Sequence, residues 1–395
     1  MSTFSGFMDE VDGISIDRFE EPNLSSTTFF LSHAHTDHMS GLTTYGNFQI
    51  LERLPEDKVF IYSSPVTTQV LKEMHPQHEN KFKPLEIGIS QMIEIPSTKK
   101  TVTVTLLPAS HCPGSVMFLF EVKNKTILYT GDFRWKLNQS IPKALCYSTG
   151  EVKTIDKMYM DTTFFFERYT KFPCRDDSIG EICKLIKDWI ERGKQYQIVL
   201  ATSAKYGYEC VFTDIYKQVN IPIHVNQSQF DVYKYFPCMD KAITLEASNS
   251  QIHCHCNSWK STCVNAGSQF VRQIKICAWS FSNWQNKRTI SDRDTLHNKQ
   301  YKVCYSTHSS YEEINNFLDA LKPKEVEPNV IPDRKEDATK MYNNIRSYFK
   351  RHTTQVEQSP TDFNFTNFTS ESTKSCMEKS NVDKEEHADI FDILD

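Results

Sequence analysis

Ser32-His33-Ala34-His35-Thr36-Asp37-His38 puts three imidazoles and a carboxylate into six positions of a chain that has only 13 histidines in 395 residues. Imidazole and carboxylate are borderline-to-hard donors that suit Zn²⁺ and its neighbours. A loop can turn alternate side chains toward two centres, His33 and His35 to one, Asp37 and His38 to the other. Two later positions extend the set: His111 in Ser110-His111-Cys112-Pro113-Gly114-Ser115, and Asp132 after Thr130-Gly131. A lone His after a strand is more often a hydrogen-bonded core residue, and a lone Asp after Gly more often a turn former. Taken in this order, they offer His33, His35, His111 and Asp132 to one metal, and Asp37, His38 and a bridging Asp132 to a second. The chemistry open to such a pair is metal-assisted hydrolysis.

The ligands need rigid elements behind them. Apolar runs at 29–31, 102–107 and 127–129 read as strands, and each leads into one ligand group. Further strands are expected at 59–62 and 116–120, the run before Asp132 extends over 126–129, and a helix at 65–74 opens on Pro65. This mixture fits half of an αββα sandwich, whose metal loops would cluster at one sheet edge. From about 161 to 301 strands and helices alternate. Asp177 or Ser178 can cap a helix carrying Ile179, Ile182, Leu185, Ile186, Trp189 and Ile190 near 3.6 spacing. A strand at 198–201, a helix at 208–219 and a strand at 221–225 follow, as in an inserted α/β domain. The run from Tyr301 reads as a strand ending at His308, after which Ser309 or Ser310 can cap a helix through Ile314, Phe317, Leu318 and Leu321. The expected divisions are therefore 1–160, the insert 161–301, a completing part 302–355 and a tail 356–395.

Two more constellations carry chemistry. His224, His253-Cys254-His255-Cys256 and Cys263 crowd Cys and His into the insert, as a closed four-coordinate structural zinc would require. His308 with the hydroxyls of Ser306, Ser309 and Ser310 at a helix start makes a phosphate-contacting corner.

The segments SIDRF (15–19), FLSHAHTDHM (30–39), YSSPVT (62–67), VTLLPASHCPGSVMFLF (104–120), LYTGDFR (128–134), YMDTTF (159–164), YGYE (206–209), HSSYEE (308–313) and PNVIP (328–332) resemble the β-CASP nucleases of DNA repair, a branch of the metallo-β-lactamase superfamily. The resemblance runs from about Ser2 to about Pro332. It implies a metallo-β-lactamase αββα sandwich with an inserted α/β β-CASP cap domain over a cleft. It also implies catalytic roles for Asp37, Asp161 and His308, with Asp161 orienting the His308 imidazole. The structural zinc by resemblance takes His224, His253, a third ligand and Cys263; here His255 stands at the third position, and Cys256 could replace it. Val330 occupies the place where RNA-processing relatives have a metal-binding His, which tilts the substrate toward DNA. It leaves the second metal fewer ligands, so that Zn²⁺, Mg²⁺ or Mn²⁺ would serve there beside Zn²⁺ at the first site.

The implied function is a structure-selective DNA endonuclease, opening hairpins and trimming overhangs at single-strand/double-strand junctions, with 5′ exonuclease activity, in end joining of double-strand breaks. A 5′-to-3′ exonuclease of crosslink repair is the alternative, and an RNA-processing nuclease a more remote one. A glyoxalase-type small-molecule hydrolase fits poorly with an insert that would cap the site. DNA-dependent protein kinase and end-joining factors would be partners of a monomer in the nucleus.

Composition limits the rest. The net charge is -5, of which -4 falls after 332, so the first 332 residues are near neutral. Divalent metals would supply the positive charge a phosphate needs, and Lys205, Arg272, Lys275, Lys287 and Arg288 could add a basic patch. No stretch approaches the roughly 20 apolar residues of a membrane span. The N-terminus lacks the basic and apolar runs of a secretory leader. The 12 cysteines show no compact disulfide framework, and reduced thiols in an intracellular compartment are expected. Beyond Gln355 the chain is polar and acidic, with the composition of disorder. Its last eight residues set apolar side chains among acids and could dock on a partner as a short helix.

Overall fold

A computed structural model describes residues 2–42, 50–55, 58–236, 239–254, 263–264, 268–293 and 300–356. The tail expected over 356–395 lies outside the described residues from 357 onward, as do His255 and Cys256.

The first sheet holds four parallel strands in chain order: β1 (Ile14–Ile16), β2 (Thr28–Phe30), β3 (Phe60–Ser63) and β4 (Phe82–Pro84). The next strands are β5 (Gln91–Ile95), β6 (Lys100–Pro108), β7 (Val116–Val122), β8 (Lys125–Tyr129) and β9 (Lys157–Met160). The insert contributes β10 (Gln197–Ala201), β11 (Ile223–His224), β12 (Ile243–Thr244), β13 (Ile252–Cys254), β14 (Val271–Ile276), β15 (Ser291–Arg293) and β16 (Gln300–Val303). After β17 (Val326–Pro328), the second sheet is complete in the order β17-β9-β8-β7-β6-β5, and the third runs β12-β11-β13-β10-β14-β16-β15.

Side-chain alternation along each strand builds the layers. Ile14, Ile16 and Phe30 from the first sheet meet Val104, Leu106, Phe118, Phe120, Ile127 and Tyr129 from the second in one core. Their neighbours face outward: Phe29, Leu31 and Ile61 pack with Leu71 of the helix Pro65–Met74. On the far side, Leu107, Leu119, Leu128 and Met158 are covered by Phe317 and Leu318 of the helix Tyr311–Leu321 and by Met341, Ile345 and Tyr348 of the helix Lys335–Val356. The result is an αββα sandwich. The third sheet is packed by Ile182 and Ile186 of the helix Arg175–Ile190 and by Val211 and Ile215 of the helix Glu209–Val219.

Two local expectations are corrected. The helix at 175–190 is capped by Cys174, whose Sγ accepts from Asp177 N at 3.3 Å; neither Asp177 nor Ser178 is the cap. Ser178 Oγ is instead drawn inward, donating to Cys304 O at 2.6 Å. The strand leading toward His308 ends at Val303, and seven irregular residues, 304–310, carry the chain through His308 to the next helix. No disulfide joins the described cysteines, and no helix among the described residues is long and apolar enough to cross a membrane.

Candidate metal centre

Within the first sheet β1 and β2 run parallel, and within the second β6, β8, β9 and β17 share one direction, and the residues following these strands gather at one edge of the sandwich. Asp17, the 32–38 loop, His111, Asp132, Asp161 and Val330 all come from these strand ends. Antiparallel neighbours would have sent half of them to the opposite edge.

The ligand atoms converge. His33, His35, His111 and Asp132 form one group, and Asp37, His38 and Asp132 another, with the atoms within each group all within 4.8 Å of one another. His35 Nδ1 lies 3.0 Å from His111 Nε2. Asp132 Oδ2 lies 3.7 Å from Nε2 of both His33 and His111, and 3.2 Å from His38 Nε2. A third group brings Asp161 and His308 to the same Asp132, with His308 Nδ1 2.8 Å from Asp161 Oδ2 and His308 Nε2 3.9 Å from Asp132.

The electrostatics of His33, His111 and Asp37 suit a metal, and at His38 a cation would displace a proton held by Asp132 and Asp17. Burial, reinforced by neighbouring imidazoles, holds the pKa of His33 and His111 well below the usual range, so both present neutral rings with a lone pair. Burial opposes ionisation of Asp37, but His38 and His35 override it and hold its pKa at about 2. Burial also opposes protonation of His38, and the Asp132 and Asp17 carboxylates outweigh it, raising His38 well above its ordinary value. His33 Nε2 is buried with no hydrogen-bond partner. Two ring nitrogens 3.0 Å apart and an unsatisfied third are explained by a shared cation, so this donor set fits a divalent metal.

Each imidazole is aimed by a partner on its other nitrogen, as metal-binding histidines require. His33 Nδ1 faces Ser32 Oγ at 2.9 Å, His38 Nδ1 faces Asp17 Oδ2 at 2.8 Å, His111 Nδ1 faces Thr307 O at 3.1 Å and His35 Nε2 faces Tyr206 O at 3.0 Å. Tyr206 sits beside Gly207, whose φ is +99° and where a Cβ would come within 2.9 Å of His35 Nε2. Only glycine lets the insert approach this closely. Asp17 carries no role in the sequence reading; the signal available is an Asp directly after the alternating Ile14-Ser15-Ile16.

The serine corner is rearranged. Ser310 Oγ caps the helix Tyr311–Leu321 through Glu313 N, Ser309 Oγ joins Trp135 N and Phe133 O, and Ser306 Oγ donates to His308 O. All three are buried. Their hydroxyls shape the loop and are absent from the lining of the cleft, so the expected phosphate-contacting role is corrected. His308 does line it. Arg272 is also corrected: it is buried against Asp188, Leu185 O and the rings of Trp189 and Tyr301, and cannot join a surface patch.

The cleft, about 250 Å³, is lined by His35, Asp37, His111, Asp132, Thr163, Ser203, Tyr206, Tyr208, Trp279, His308 and Val330, so both the sandwich and the insert contribute to it. The second His/Cys cluster lies within the insert. His224 and His253 pair in register on β11 and β13, with their Nδ1 atoms 3.1 Å apart and Cys263 Sγ 3.5 Å from each. Cys254 points to the opposite face, into the apolar core. His255 and Cys256 fall outside the described residues, so the described part is a three-ligand set.

Candidate metal ligands gathered at one edge of an αββα sandwich, facing a further α/β sheet, fit the metallo-β-lactamase fold. Residues 237–334 match the family described as DNA repair metallo-beta-lactamase. Protein artemis of Mus musculus is 38% identical over 349 residues, 84% of this chain and 49% of that protein, and the Homo sapiens protein is 36% identical over 353, or 84% and 50%. The DNA cross-link repair protein SNM1 of Arabidopsis thaliana is 27% identical over 339 residues, 82% of this chain and 65% of that protein. The chain is an Artemis-like protein of the metallo-β-lactamase/β-CASP superfamily. It spans about half the length of the Artemis proteins it matches.

Proposed function

We propose that this chain is a metal-dependent DNA nuclease, a structure-selective endonuclease with 5′ exonuclease activity that opens hairpins and trims overhangs at double-strand breaks. The observation that carries the reading is the pair of ligand groups sharing Asp132 in a cleft of an Artemis-like chain. In this reading 161–301 is the β-CASP insert, and 1–160 with 302–355 the metallo-β-lactamase unit. Zn²⁺ would be held by His33, His35, His111 and Asp132, and Zn²⁺, Mg²⁺ or Mn²⁺ by Asp37, His38 and Asp132. A structural Zn²⁺ would take His224, His253 and Cys263.

What the ions supply is polarisation of the phosphodiester and an activated water. The remaining work falls to side chains. His33 and His111, kept neutral by burial, keep their ring nitrogens available as donors. Asp161 accepts from His308 Nδ1 and turns Nε2 toward Asp132, where a proton on that atom can pass to the departing 3′ oxygen. Val330 lines the cleft with an alkyl group that cannot coordinate, which supports DNA over RNA as substrate. Nuclear action alongside DNA-dependent protein kinase and end-joining factors belongs to the same reading.

The similarity to SNM1 favours one second reading, a 5′-to-3′ exonuclease of crosslink repair. Cleavage of end-labelled hairpins, overhangs, single strands and a matched RNA by the purified chain separates them. Hairpin opening that falls at least about 100-fold in Asp37→Ala is the expected result. Stepwise loss from the 5′ end alone would select the second reading, and cleavage confined to RNA would reject both.

A further inference from the structure

Trp279 is 55% exposed, an unusual state for the largest apolar side chain. Among the described large hydrophobic residues that are exposed, it alone lines the metal cleft. Its mounting is aromatic. The buried Phe164 ring lies 4.7 Å beneath it, and Tyr169 packs edge-on at 5.8 Å while its hydroxyl donates to Trp279 O at 3.2 Å. The same Phe164 ring is 5.9 Å from His308. A half-exposed indole is thus held one ring away from the imidazole that sits over the ligand cluster.

Phe164, Tyr169 and Phe172 beneath it are buried, so the exposed apolar patch is a single ring, too small to dock a protein surface. A flat partner of similar size fits it. Beside a centre that hydrolyses phosphodiesters, the flat group next to each phosphate is a base, and only an unpaired base can offer its face to the indole.

We propose that Trp279 is a stacking platform for the unpaired nucleobase adjoining the scissile phosphate, and that it helps select hairpin tips, overhangs and junctions over continuous duplex. The proposal rests on the nuclease reading. Its ring was set without ligand contact, so little ordering remains to be done on binding. Removing such a platform weakens single-strand binding roughly 5- to 150-fold.

The test uses the whole chain and a DNA hairpin with one abasic site moved position by position through the tip. Binding is read by anisotropy with metal present, on hairpins made cleavage-resistant by phosphorothioates through the tip, and KM and kcat separately on unmodified hairpins. Trp279→Ala should weaken binding and raise KM by that factor with kcat little changed, while Trp279→Phe keeps most of the affinity. An abasic site at one position should weaken wild type by a similar factor and leave Trp279→Ala unaffected. Independent losses at every position, or wild-type binding by Trp279→Ala, overturn the platform even if hairpins are cut. The reverse pattern, the position-specific abasic effect on binding without cleavage of any DNA, would retain the platform and reject the nuclease. Absence of both binding and cleavage overturns both.

Discussion

Asp17 Oδ2 lies 2.8 Å from His38 Nδ1, and the same carboxylate accepts from Ser32 N at 2.7 Å, Ser32 Oγ at 2.6 Å and Tyr129 Oη at 2.9 Å. One buried acid therefore ties the end of β1 to the metal loop and to β8. It aims His38 directly and, through Ser32, the ring of His33.

Asp17→Asn should lower metal affinity about 10- to 100-fold. Asn tolerates the positive φ of +52° at this position, so the backbone is preserved while the charge is lost. Competition against a chromogenic zinc chelator measures it; wild-type affinity in a folded variant would remove Asp17 from the site.

Cys263→Ala should cost one equivalent of bound metal and lower the melting temperature of the insert by roughly 5 °C or more, since β11 and β13 are joined there by His224 and His253. The cleft ligands are untouched, so hairpin cleavage at low temperature should persist. Elemental analysis and calorimetry check both parts. Unchanged metal content would mean that the cluster is only a hydrogen-bonded group.

Glu209 gives a pH dependence. Burial raises its pKa to about 7 despite a hydrogen bond from Gly207 N, and Oε2 has no partner. The folded chain thus holds a proton that the unfolded chain releases above its ordinary 4.5. Stability should fall as pH rises from there to about 7 and level off beyond, a loss of about 3 kcal/mol. Glu209→Gln should match wild type near pH 4, exceed it near pH 8, and lack this slope in urea titrations. Identical slopes in both proteins would reject the assignment.

Much of the site was legible because metal ligation demands particular side chains close together, and the 32–38 loop states that in seven residues. The helix Pro65–Met74 was read with its bounds, since Ser64-Pro65 marks its start locally. Local rules failed where tertiary contact competed. Ser178 looks like a cap but bonds Cys304 O, which left Cys174 to cap. Ser306, Ser309 and Ser310 look like phosphate contacts but are consumed by backbone groups of their own loop, of Phe133 and Trp135, and of Glu313 in the following helix. Arg272 looks exposed by residue type, yet aromatic rings and Asp188 compensate its burial.

The sequence by itself determined which donor side chains are present, their order and the strands that carry them, because donor type and hydrophobic period are properties of neighbouring residues. Only the tertiary structure decided how the donors are aimed. Asp17 against His38, Tyr206 O against His35 and Thr307 O against His111 join positions 21, 171 and 196 residues apart, two of them through backbone carbonyls that every residue possesses. The exposure of Trp279 is likewise invisible in a residue type that usually belongs to a core. Such features arise from the packing of one sheet edge against the insert, and no local pattern encodes them.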